Sequence, residues 1–112
     1  MKIYHNPRCS KSRETLQIIK DQGIEPEIIL YQKEIPTKEE LQMLLMKLNL
    51  KAEDLLRRGE KFYKEQLKGK EFNEDELIQI MIENPSLIER PIVVRGNKAI
   101  LGRPPGNVKN LF

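Results

Sequence analysis

The chain has 112 residues, 20 Lys and Arg against 17 Asp and Glu, and one cysteine. A net charge of +3 spread along the chain is too mild and too interspersed to demand nucleic acid, and with no tryptophan, three tyrosines and three phenylalanines no base-stacking platform is expected. The length suits one domain, 1–112, without staples. A single cysteine excludes an internal disulfide, no segment approaches membrane-spanning length, and MKIYHNP lacks the apolar run of a signal peptide, so a reducing, cytoplasmic setting with no membrane is expected.

MKIYH reads as a first strand, Asn6-Pro7 as a turn, and 10–22 as a helix with Leu16, Ile18 and Ile19 inward. Gly23 and Pro26 stop that helix, and EIILY (27–31) follows as a second, buried strand. A strand-helix-strand crossover implies parallel pairing. Thr37 and Glu40 form a capping pattern ahead of Leu41, Leu44, Leu45 and Leu48, which recur at helical spacing. Leu55 and Leu56 read as a short helical turn ended by Gly59, and 60–70 as a helical turn and loop. Asn73 and Glu76 repeat the capping pattern before Leu77, Ile80 and Met81, and Asn84-Pro85 ends that helix.

Residues 90–94 open a third strand, Gly96-Asn97 makes a two-residue hairpin, and 98–101 return antiparallel. Gly102-Arg103-Pro104-Pro105 then enters a last short helix. The sum is an α/β fold of thioredoxin-like character: a four-stranded mixed sheet with a helical insertion, about 37–84, between the second and third strands. In such a fold Pro91, opening the third strand, follows a cis peptide bond; proline is the residue for which that bond is accessible.

Cys9 stands where the first strand gives way to the helix, in HNPRCSKSR. A sulfur there faces the unpaired N–H groups and positive dipole end of the helix. Arg8, Lys11 and Arg13 add positive charge, and His5 is close in sequence. These favour thiolate over thiol and make the sulfur a nucleophile near neutral pH. The alternative is a buried cysteine acting as a small hydrophobe. Arg57, Arg90 and Arg103 each sit at the edge of an element, where a fold that gathers strand ends can bring them to Cys9. Planar guanidinium groups suit tetrahedral oxyanions. Spacing alone leaves open that each is a solvated surface charge, and that His5 is a strand-end packing histidine.

The strings HNPRCSKSRETL, LYQKEIPTKEEL, LLR at 55–57, ERPIVV and LGRPP, in this order, resemble the glutaredoxin-coupled arsenate reductase family along essentially the whole chain. The resemblance implies that Cys9 is the nucleophile, that His5 and Ser12 tune its ionisation, and that Arg57, Arg90 and Arg103 bind arsenate and its reduced adduct. It points to Arg57 rather than Arg58, because the family's arginine directly follows the two leucines. It also implies no bound cofactor or metal, glutathione as co-substrate, glutaredoxin as partner, and a monomer. Reducing As(V) to As(III) takes two electrons, and with one sulfur in the chain the second thiol comes from outside. The unrelated phosphatase-like arsenate reductases place an arginine six residues after the nucleophile; Thr15 stands there, which excludes that route.

Two other functions fit parts of the pattern. Small regulators of the same superfamily bind RNA polymerase and sense redox state through C-x-x-C, but Cys9-Ser10-Lys11-Ser12 lacks the second cysteine. A monothiol glutaredoxin-like protein fits C-x-x-S, though three arginines exceed what a glutathione carboxylate requires.

Overall fold

The strand that organises the sheet is the short Lys2–Tyr4 (β1), and the computed structural model describes the whole chain, residues 1–112. β1 pairs parallel with Glu27–Ile29 (β2) on one side and antiparallel with Ile92–Arg95 (β3) on the other. β3 pairs antiparallel with Lys98–Leu101 (β4), so the sheet order is β2-β1-β3-β4. The register sets Tyr4 opposite both Ile29 and Ile92, and Ile92 opposite Leu101. Four chain segments therefore leave or enter the sheet at the same end. The turn between β3 and β4 needs a positive φ, which Gly96 supplies at 62°.

The chain divides into two compact units. The first comprises Met1–Glu34 and Arg90–Phe112 and holds the sheet; the second, Ile35–Glu89, is the helical insertion between β2 and β3. In the first unit, helix α1 (Ser10–Asp21) ends at Gly23, whose φ of 77° and bond to the Lys20 carbonyl close the last turn. Ile3 and Val93 of the sheet, Ile19 of α1, and Val108 and Leu111 of the closing 3-10 helix Pro105–Leu111 form the core.

In the first unit, three expectations change. β2 is an edge strand of three residues with Ile28 exposed, because it has a neighbour on one side only. Tyr31 lies beyond the strand, in a turn, and is nevertheless buried. The innermost face of α1 is Ser12, Thr15 and Ile19, while Leu16 and Ile18 are half-buried at the margin of the core. Thr15 Oγ1 donates to the Lys11 carbonyl, which satisfies the hydroxyl within the helix. The peptide bonds before Pro91 and before Pro104 are cis; only the first was expected.

In the second unit, helix α2 (Lys38–Leu48) starts where Thr37 Oγ1 accepts from the Glu40 N–H at 3.1 Å and ends at Asn49, in the left-handed region with φ 58°. Its buried stripe is Leu41, Leu44 and Leu45, with Leu48 half-buried. The short helix α3 (Ala52–Leu55) stops before the expected glycine, because Leu56 turns extended and bridges to Ile88. Tyr63–Leu67 wind as one π-helical turn. Helix α4 (Glu74–Glu83) has the full reciprocal cap between Asn73 and Glu76, and it buries Leu77, Ile78 and Met81 rather than Ile80. Its Glu74 carboxylate reaches back to accept the Ala52 N–H at 3.0 Å, tying α4 to the start of α3. No helix of the chain is long and apolar enough to cross a membrane.

In the first unit, Gly102 comes so close to α1 and β3 that a Cβ there would lie 2.5 Å from Thr15 Oγ1 and 2.7 Å from Pro91 Cγ. Both neighbours are buried, so neither has room to withdraw. Gly102→Ala is expected to destabilise the protein by about 2 kcal/mol, as overpacking a tight site does. Urea unfolding checks this; an unchanged midpoint would mean that the contact relaxes freely.

Candidate active site

Cys9 occupies the N-cap position of α1 with extended backbone, φ −95° and ψ 121°. The turn before it is self-organised: Asn6 Oδ1 accepts the Arg8 N–H at 3.0 Å, and the Cys9 N–H donates to the Asn6 carbonyl at 3.0 Å. The sulfur makes no N-cap hydrogen bond of its own, but the N–H groups of Lys11 and Ser12 face it. Partial burial pushes the thiol up. The Ser12 N–H, the Arg90 guanidinium and the Lys11 N–H together outweigh it, and the thiol lies below its ordinary value. Cys9 is half-exposed, which leaves the sulfur open to attack a small ligand.

Arg90 and Arg103 reach the sulfur because of the sheet. One enters β3 and the other leaves β4 at the end where β1 runs out toward Cys9. Arg103 Nη1 lies 3.8 Å from Cys9 Sγ and donates to the Arg90 carbonyl at 3.2 Å, so one arginine helps to fix the other's backbone. Arg90 is buried, an uncommon state for a guanidinium and one that keeps its field unscreened by solvent.

His5 and Ser12 are also brought together. His5 Nδ1 and Ser12 Oγ are 2.6 Å apart, and the same hydroxyl oxygen accepts the Asn6 N–H at 3.1 Å. Both side chains are buried. Burial lowers the His5 pKa, and the nearby positive charges of Arg13 and Lys20 lower it further, so the imidazole is neutral at neutral pH. A neutral ring against a hydroxyl holds the turn and the first turn of α1 in one register. It adds no positive charge beside the sulfur.

Arg57 belongs to the second unit. There its Nε lies 3.1 Å from Glu60 Oε1 and its Nη1 3.6 Å from Glu89 Oε1. Its backbone N–H donates to the Leu87 carbonyl, which anchors the strand-like stretch after α3. Arg58 is exposed; it donates to Tyr63 Oη at 2.9 Å and lies over the Tyr63 ring.

One further side chain at the sulfur was not expected. The hydroxyl of Tyr31 is fully buried with no partner at hydrogen-bonding geometry; the side chains of Gln32 and Asn6 are polar groups beside it, and the charge of Arg90 acts on it. Burial raises its pKa, so it remains a phenol. Its sequence signal was weak, because a tyrosine closing the apolar run of EIILY reads as a strand residue.

The ArsC family model matches residues 4–111 of the chain. An arsenate reductase of Haemophilus influenzae is 43% identical over 112 residues, covering 98% of this chain and 97% of that protein. A protein of Escherichia coli K12 named only as uncharacterized protein YfgD is 50% identical over 110 residues, covering 96% and 92%. The solved structure of an arsenate reductase from Vibrio cholerae superposes with a TM-score of 0.94 at 45% identity, covering 99% of this chain and 96% of that one.

Two measurements check the electrostatics. The pH profile of Cys9 alkylation by iodoacetamide should centre below that of a free thiol, and Arg90→Gln should move it upward; a profile unmoved by Arg90→Gln would show that the guanidinium does not hold the charge. For His5 the sign is the reverse of a salt-bridged histidine. Its folded value lies below the ordinary 6.5, so the unfolded chain takes the proton first. The contribution to stability is whole above about pH 6.5 and is lost as pH falls through the folded value. His5→Gln should therefore flatten the fall in urea midpoint between about pH 7 and 5; equal slopes would rule the imidazole out.

Proposed function

The chain belongs to the ArsC family, and on that premise we propose that it is an arsenate reductase in which Cys9 attacks arsenate and glutathione with glutaredoxin resolves the product. The observation that carries this reading is one activated sulfur beside two guanidinium groups and the N-terminus of α1. That arrangement suits a tetrahedral dianion and one nucleophile. The relatives named as arsenate reductases support the substrate.

In the first step the Cys9 thiolate forms a bond to arsenic, and one arsenate oxygen takes up protons and leaves as water. No electrons have yet moved between elements. Arg90 and Arg103 hold the remaining oxygens, and Arg57 is the third arginine assigned to the anion. His5 and Ser12 tune Cys9 by holding the turn that carries it. In the second step a glutathione thiolate attacks Cys9 Sγ. A disulfide forms, the S–As bond breaks with its electron pair going to arsenic, and As(V) becomes As(III), which leaves as arsenite. Each sulfur has given one electron. Glutaredoxin then takes the glutathionyl group by thiol–disulfide exchange and returns the Cys9 thiolate. These thiols belong to a reducing compartment, in which the protein acts as a monomer with no metal or bound cofactor.

The test is NADPH oxidation coupled through glutathione reductase, glutathione and glutaredoxin, with and without arsenate. Cys9→Ser should abolish the arsenate-dependent rate and leave the circular dichroism unchanged. Arg57→Lys, Arg90→Lys and Arg103→Lys should each lower kcat/KM for arsenate by about tenfold or more, or about 1.4 kcal/mol, because lysine keeps the charge and loses the planar paired donors. Arg95, whose guanidinium donates to the Leu111 carbonyl, is the control. Turnover of a glutathionylated peptide with no response to arsenate would instead mark a monothiol glutaredoxin-like protein. If all four arginine variants behave alike, the oxyanion reading loses its basis.

A further inference from the structure

The two sides of β1 are not equivalent at the active-site end. Arg90 and Arg103 come from the β3 and β4 side. On the β2 side the first unit holds a cavity of about 380 Å³. One wall is the turn that leads into Cys9, from His5 to Arg8; the other is the segment following β2, with Leu30, Gln32 and Lys33. The volume lies within the range of small-molecule sites. No acidic side chain lines the cavity, and two cations do, one on each wall. The amides of Asn6 and Gln32 add donors and acceptors of the kind that match peptide groups, and Pro7 and Leu30 supply apolar surface. A cationic cavity with amides, one residue from the sulfur in the chain, fits a small peptide-like anion.

The reaction proposed above needs such a molecule. With one cysteine in the chain, the second sulfur must arrive from outside and reach Cys9 Sγ while the arsenic adduct is still held by the arginines. Two substrates cannot approach the same sulfur from the same side. We propose that the cavity between the Asn6–Arg8 turn and Leu30–Lys33 is the site of the thiol co-substrate, a small peptide thiol whose carboxylates pair with Arg8 and Lys33. This deepens the arsenate reductase reading and rests on it. The co-substrate thiol loses its proton to water, its thiolate attacks Cys9 Sγ from the β2 side, and the S–S bond forms as the S–As electron pair passes to arsenic. Arsenite leaves on the side of Arg90 and Arg103. Arg8 and Lys33 supply long-range attraction and orientation and take no part in the electron transfer.

The probes are glutathione in turnover and S-methylglutathione, which cannot react, in binding. At saturating glutaredoxin and arsenate, Arg8→Glu and Lys33→Glu should each raise the KM for glutathione by about fivefold or more, and the pair together by more than either. In Lys33→Glu the KM for arsenate should stay within about twofold, as expected if that charge serves the other substrate. Lys98→Glu, beside the turn at the opposite end of the sheet, should leave both constants unchanged. S-methylglutathione titrated into the wild-type protein should shift the backbone amide signals of Asn6, Arg8, Gln32 and Lys33, and the Lys33→Glu variant should lose those shifts. An unchanged KM for glutathione in an enzyme that does reduce arsenate overturns the proposal and spares the function. A wild-type protein inactive on arsenate overturns the function, and the titration then decides the cavity: no shift at these four amides sinks it. A variant effect on the KM for glutaredoxin alone would assign the surface to the protein partner instead and would also overturn the proposal.

Discussion

The antiparallel pairing of β3 with β1 is the constraint on which the site in the first unit depends. It sets Ile92 opposite Tyr4, and so brings the chain just before β3 to the place where β1 ends. Arg90 is two residues before Ile92, and Cys9 is five after Tyr4, so the register alone brings both to one end. The hairpin then returns Leu101 opposite Ile92 and delivers Arg103 two residues later. A slip of one residue would turn every side chain of β3 to the other face. Ile92, Val93 and Val94 are all buried, so both faces of β3 are covered, and a slip would carry the exposed Arg95 toward the core. Packing and chemistry here are one specification.

The charge balance at the sulfur follows from the same geometry. A half-buried thiolate in apolar surroundings would revert to thiol. Here two N–H groups of α1, one buried guanidinium and a second at 3.8 Å oppose that cost. His5 contributes by remaining neutral. Were it charged, the turn would hold a buried cation among Arg13 and Lys20, and stability would suffer before nucleophilicity gained. The histidine thus acts as a mechanical part, a ring fastened to Ser12 and through it to the Asn6 backbone.

Much of this was legible from the residues. The cap signals at Thr37 and Asn73, the Gly96-Asn97 hairpin and the helix opening at Ser10 are local chemistry, and local chemistry survives in the fold. What depends on neighbours far along the chain was not. EIILY looks like a buried strand because its residues are apolar; that β2 lies at an edge is decided by β3 choosing the other side of β1. Ser12 and Thr15 are polar and yet buried: Thr15 because Gly102 arrives over it without a side chain, Ser12 because it is held by His5 and the Asn6 N–H. Ile80 and Ile78 are equally apolar, and it is the second that the packing of α4 buries. For the site, the helix N-terminus and its cysteine could be read directly. The buried Tyr31 hydroxyl could not, because no local pattern marks a polar atom that its neighbours fail to satisfy.

Arg57 shows where residue type and role part company. A guanidinium held by Glu60 and Glu89 is oriented, and oriented by opposite charge. Both carboxylates reduce what it offers to an anion, while its geometry is better defined than that of a free surface arginine. Arg90 gains its definition from burial, and Arg103 from a hydrogen bond to the Arg90 carbonyl. Such placement matters beside a count of arginines, since a dianion responds to net field and to donor geometry together.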